Sequence, residues 1–172
     1  MSYEQKSSCP LCRAKYPTSK AEAVNCLLRW VEEGKAWAQC RYGEQCRLGE
    51  GGVQKSYQRA KELFELARAQ GNANAQYLLG QMYRDGQGVD QSYERAASYY
   101  EAAALQGNAK AQHNLGALYC NGQGVERSLE TAREWFLKAA QHGDENAPSM
   151  LQLLDKTLDK LNGTTTPPFV QE

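Results

Sequence analysis

Cys9 and Cys12 frame a Cys-Pro-Leu-Cys segment. Two cysteines separated by two residues form the knuckle that presents a pair of thiolates to one metal ion, and a tetrahedral zinc site needs two further ligands. The sequence holds six cysteines and two histidines. Cys26, Cys40 or Cys46 could complete the set, but their spacing matches no zinc motif. A redox Cys-x-x-Cys is disfavoured because no βαβ pattern surrounds it. A nucleophile can also be drawn, since His113 and Cys120 stand at i and i+7; His142, the other histidine, falls on a different type of helix, and no catalytic constellation stands out. The run Gly-Gln-Gly-Val occurs at 86–89 and again at 122–125. A phosphate-binding loop would need a strand before it and a lysine after it, and neither is present. Turn geometry explains the glycines better.

The elements that must position these groups repeat. Leu79-Gly80, Tyr83, Gly86, Gly88 and Val89 return thirty-six residues later as Leu115-Gly116, Tyr119, Gly122, Gly124 and Val125. Ser92, Ala96, Tyr99-Tyr100, Ala103 and Gly107 return as Ser128, Ala132, Trp135-Phe136, Ala139 and Gly143. An earlier copy is visible in Val53, Ser56, Ala60, Leu63-Phe64, Ala67 and Gly71, with one extra residue between Gly43 and Val53. Each unit reads as two helices. Ala75, Leu78, Leu79, Met82 and Tyr83 make one apolar stripe at helical spacing, and Ala96, Tyr99, Tyr100 and Ala103 make another. Alanine at the contact lets two helices approach closely while the aromatic pair fills the space beside them. Asn72, Asn108 and Asp144 stand where the first helix wants an N-cap, and Ser56, Ser92 and Ser128 where the second does. A helix pair this small cannot bury its stripe alone, so stacked copies must bury one another's. The expected fold is all-α, an α/α solenoid of about three and a half 36-residue helix-turn-helix repeats.

These residues resemble the Sel-one-like repeat, a relative of the tetratricopeptide repeat, over roughly residues 36 to 160. The first copy departs from the pattern: Tyr42 replaces the leucine, and Cys46 replaces the tyrosine seen at 83 and 119. The resemblance implies a non-enzymatic adaptor that assembles complexes. The Cys-Pro-x-Cys-Arg segment also looks like the last ligand pair of a RING-type zinc finger, whose other ligands would lie upstream of Met1. Three readings of Cys9 and Cys12 stay open: the remnant of a RING module, an unmetallated pair, and a complete private zinc site. No cofactor is expected, with zinc possible only in a complete RING module.

The boundaries follow. Residues 1–18 form the flexible segment that resembles the end of a RING finger, and 19–34 an N-terminal capping helix with Val24, Leu27, Leu28 and Val31 on its apolar side. Repeats span 35–71, 72–107 and 108–143. A C-terminal capping helix covers 144–161, where Pro148 is tolerable only in the first turn, and 162–172 reads as a disordered tail.

Composition narrows the partners. Of 172 residues, twenty basic ones balance twenty acidic ones, so nothing implies attraction to nucleic acid or to an anionic membrane. Hydrophobic residues make up 41%, the mean hydropathy is -0.72, and no apolar run approaches the roughly 18 residues of a spanning helix. The N-terminus lacks the apolar stretch of a secretory signal. A cytoplasmic or nuclear monomer with reduced cysteines is expected. In tetratricopeptide arrays the concave face is lined by the first helix of each unit. Carrying those positions over gives Trp37, Cys40, Glu44 and Arg47 in the first copy, Asn74, Tyr77, Gln81 and Arg84 in the second, and Lys110, His113, Ala117 and Asn121 in the third. Polar, aromatic and basic residues without packing duty suit recognition of a peptide or partner protein. The alternative is the substrate-binding part of a RING-type ubiquitin ligase.

Overall fold

The computed structural model describes residues 20–161 and 163. Eight helices and no strand occur among the described residues: α1 (Lys20–Glu32), α2 (Ala36–Leu48), α3 (Tyr57–Ala69), α4 (Ala73–Asp85), α5 (Tyr93–Leu105), α6 (Ala109–Asn121), α7 (Leu129–Gln141) and α8 (Ala147–Leu161). This is the all-α repeat architecture expected from the period. The Cys9–Cys12 knuckle and the expectations for 1–18 and for the tail, Gly163 apart, lie outside the described residues. The chain divides into two compact units, the division falling within α4 after Ala75.

The caps explain where the helices begin. Ser56, Ser92 and Ser128 each accept, at the hydroxyl, the backbone N–H three residues on, from Arg59, Arg95 and Thr131. Asn72, Asn108 and Asp144 do the same for Ala75, Ala111 and Ala147 at 2.9, 2.9 and 2.8 Å. Each bond satisfies an N–H that the first turn leaves without an intrahelical partner. Pro148 is the second residue of α8, where its missing N–H costs nothing.

In the first unit α2 and α3 close on each other at Gly43. A Cβ there would stand 2.7 Å from the Phe64 ring, so only glycine lets that ring lie against the α2 backbone. Ala60, Leu63, Phe64 and Ala67 are buried behind it. Cys46, the departure from the repeat pattern, does not loosen the pair. Its carbonyl accepts the Ser56 N–H at 2.8 Å, as the Tyr83 carbonyl accepts Ser92 at 2.9 Å and the Tyr119 carbonyl accepts Ser128 at 3.0 Å. The extra residue of the first copy sits in the loop between α2 and α3. α1 turns into α2 through Gly34, whose carbonyl accepts from the Gln70 side chain at 2.9 Å.

The second unit repeats the scheme. Gly80 lies under Tyr100, and Gly116 lies under Phe136 and the Ala132 carbonyl, where an added Cβ would meet atoms at 2.6 and 3.2 Å. Tyr83, Ala96, Tyr100, Ala103, Leu115 and Trp135 form one buried cluster, with Val89 and Val125 packed on it. Ala132, Phe136, Ala139, Ala147 and Leu154 form the next, joining α7 to α8. In the loop after α6, Gly122 (φ 65°) ends the helix in the left-handed conformation, while Gly124 (φ 69°) has a second reason to be glycine. A Cβ on it would overlap the backbone of Tyr93 and Glu94 at the start of α5. The loop of the third copy is therefore seated on the second helix of the copy before it.

Candidate functional site

In the first unit, Trp37 is 48% exposed and its ring stands 6.1 Å from that of Trp30. Glu44 and Arg47 are half-buried on the same helix. Asn74 donates to the Cys40 sulfur at 3.4 Å. Cys40 is buried, and burial pushes its thiol up to about 11 despite that hydrogen bond. It is a packing residue and not a nucleophile, because a reactive cysteine needs its pKa lowered.

In the second unit, Tyr77, Gln81 and Arg84 stand on successive turns of α4, half-buried beside the apolar stripe. Gln81 Nε2 donates to the Tyr77 hydroxyl at 2.8 Å. Arg84 forks onto the Asp85 carboxylate, Nε to Oδ1 at 2.7 Å and Nη2 to Oδ2 at 3.1 Å. Tyr77 leans on Tyr100, ring centroids 6.0 Å apart. Lys110 and Asn121 are exposed on α6, and Ala117 packs partly into the α7–α8 cluster. His113 Nδ1 lies 3.0 Å from Asp144 Oδ1, and its ring meets Phe136 edge-on at 5.2 Å.

One sequence expectation changes here. Absence of packing duty fails for Tyr77, which helps cover Tyr100, and for His113, which holds the residue that caps α8. The His113–Cys120 pair, which the sequence reading did not expect to act, is not arranged as a nucleophile: the imidazole is turned to Asp144 and Phe136, and burial raises the Cys120 thiol. Among the described residues no group of three or more His, Cys, Asp or Glu could hold a metal ion, and no helix is long and apolar enough to cross a membrane.

One recurring set escaped the sequence reading. Gln70 donates to Gln39 at 2.9 Å, Gln106 donates to Gln76 at 2.6 Å, and His142 Nδ1 lies 3.0 Å from Gln112 Oε1. Each pair links the residue closing a second helix to the opening turns of a first helix. The signal was present, because Gln70, Gln106 and His142 fall on the thirty-six-residue period and Gln39, Gln76 and Gln112 follow it within one residue. It went unnoticed because glutamine at a helix end looks like solvated surface.

Helix pairs of one length, capped alike and closed through one glycine-on-aromatic contact, define a tetratricopeptide-like α/α repeat protein. The Sel1 repeat family model matches three successive segments, 38–72, 73–108 and 109–144. The chain belongs to the Sel1 repeat family. Among solved structures it is similar to a Sel1 repeat protein from Oxalobacter formigenes (33% identity, TM-score 0.69), covering 76% of this chain and 50% of that one. It is also similar to c5321, a protective antigen of uropathogenic Escherichia coli with an SLR fold (36% identity, TM-score 0.68), covering 72% of this chain and 26% of that one. Helicobacter pylori cysteine rich protein B shares the fold at 22% identity and a TM-score of 0.61, covering 77% of this chain and 94% of that one. The chain thus spans half of the Oxalobacter protein and about a quarter of the Escherichia coli one. No curated protein matches the sequence. Sel1-repeat proteins are generally protein-interaction scaffolds.

Proposed function

We propose that this chain is a non-enzymatic scaffold, a monomer that seats a peptide or partner protein on the face carried, in its second unit, by the first helices α4 and α6. That face is the concave side in tetratricopeptide arrays. The observation that carries the reading is the row on α4. Tyr77, Gln81 and Arg84 present an aromatic ring, an amide and a guanidinium one turn apart, and the Gln81–Tyr77 and Arg84–Asp85 bonds hold three of these side chains in place. Side chains fixed before contact lose less entropy on binding, and tyrosine and arginine are the residues that dominate interface energies. Lys110 and Asn121 extend it on α6. Balanced charge supports a protein partner over nucleic acid or a membrane surface.

Site-specific photo-crosslinking tests the reading. A photoreactive residue at Gln81 is expected to trap a partner in cells, while the same residue at the exposed Ser98 of α5 is not. Trapping at 98 with none at 81 would assign the partner to the opposite helices.

A further inference from the structure

Where α5 turns into α6 and α7 ends lies an open cleft of about 470 Å³. Its buried lining is Ala104, Gln112 and Trp135; its exposed lining includes Lys138 and His142. Gln112, 2% exposed, donates to the Ala104 carbonyl at 2.9 Å. The His142 Nδ1 lies 3.0 Å from Gln112 Oε1 and 2.9 Å from the Lys138 carbonyl. Both neighbours are acceptors, so Nδ1 carries the hydrogen and the ring is fixed with Nε2 left over. Gly107 keeps that edge clear, since a Cβ there would sit 3.4 Å from Nε2. The Lys138 ammonium stands 4.1 Å from the centre of the Trp135 ring, and no carboxylate among the described residues pairs with it.

The repeat supplies an internal control. Trp135, Lys138 and His142 occupy the positions held by Tyr99, Ala102 and Gln106 one period earlier and by Leu63, Leu66 and Gln70 two periods earlier. The fold is built without an indole, a cation or an imidazole there, and glutamine at the third position makes the same link back to the first helix of its own copy. Three chemistry-bearing replacements therefore converge on one cleft that the scaffold does not require them to furnish.

We infer that this cleft is a second binding site, for a partner peptide in which an apolar side chain is followed by an acidic one. The apolar side chain lies on Trp135 and Ala104. The carboxylate meets the Lys138 ammonium, and the peptide N–H between them donates to His142 Nε2. A lone ammonium over an aromatic floor calls for an anion attached to an apolar body, and the volume suits one or two side chains, not a whole helix.

The test is isothermal titration of the full chain with a short end-blocked peptide carrying one leucine and two aspartates in a glycine–serine frame. The same titration is then run on Lys138→Ala and His142→Gln. Both variants install a residue that the repeat uses at that position, so the helical circular dichroism should be retained. Saturable binding is expected, weakened about fivefold by either variant and by asparagines in place of the aspartates in the peptide, as for a partly desolvated charge contact. Absence of saturable binding at millimolar peptide would overturn the proposal, as would affinities unchanged in both variants.

Discussion

Alanine at Gly124 isolates the contact between one repeat's loop and the helix of the repeat before it. Gly124 has φ 69° and its missing Cβ would overlap the Tyr93–Glu94 backbone; Gly143 has φ 87° and nothing within 4 Å. Both substitutions place an alanine in the left-handed region, a strain of about 1–2 kcal/mol, and both restrict the unfolded chain alike. Subtracting one from the other cancels these shared contributions and leaves the contact. Backbone cannot step aside as a side-chain tip can, so the overpacking should fall in the usual range of about 1–3 kcal/mol. For a chain of this size that difference corresponds to about 2–12 °C in melting temperature. Urea unfolding followed by circular dichroism supplies the free energies, and hydrogen exchange at Tyr93–Ala97 locates the damage. Equal destabilisation by the two variants, within about 0.5 kcal/mol, would refute the claim that the loop is seated on α5.

His113→Ala should cost about 1–3 kcal/mol by removing the partner of Asp144, and it should speed amide exchange in the first turn of α8 while leaving α5 unchanged; a purely surface role for His113 predicts neither. Cys40 should resist alkylation at pH 8 until the chain unfolds, because burial holds its thiol protonated. The folded thiol titrates near 11 against an ordinary 9.0, so between those values the unfolded chain has lost the proton and the native one keeps it; stability is complete below pH 9 and should fall as pH rises towards 11, more steeply than in Cys40→Ala. Chelator treatment should leave the thermal transition in place, since the described core is apolar; a cooperative loss of helix on chelation would mean that Cys9 and Cys12 belong to a metal centre that stabilises the fold.

The period made most of the fold legible. Ser56, Asn72, Ser92, Asn108, Ser128 and Asp144 could be read as caps because capping is local: a short polar side chain reaches an N–H three residues away in any tertiary setting. The stripe Ala75, Leu78, Leu79, Met82 and Tyr83 was equally plain. The surface was harder to read. His113 carries the polar signature of a groove residue, yet its partners Phe136 and Asp144 come from α7 and from the cap of α8, far along the chain, so its structural duty depends on tertiary packing. The Gln39–Gln70 and Gln76–Gln106 links were hidden for the same reason. Lys138 and His142 meet only in the cleft beside Trp135, which no local spacing announces.

The bond from the Ser56 N–H to the Cys46 carbonyl, matched at Tyr83 and Tyr119, is made by main chain alone. A closure fastened in this way does not inspect the side chain above it. Position 46 can thus hold cysteine where the other copies hold tyrosine while the hairpin keeps its shape, and the identity of the residue there is free to differ between copies. Duplicated repeats can in this way grow unlike one another in chemistry long before they grow unlike in form, and a surface assembled from them can be retuned one copy at a time.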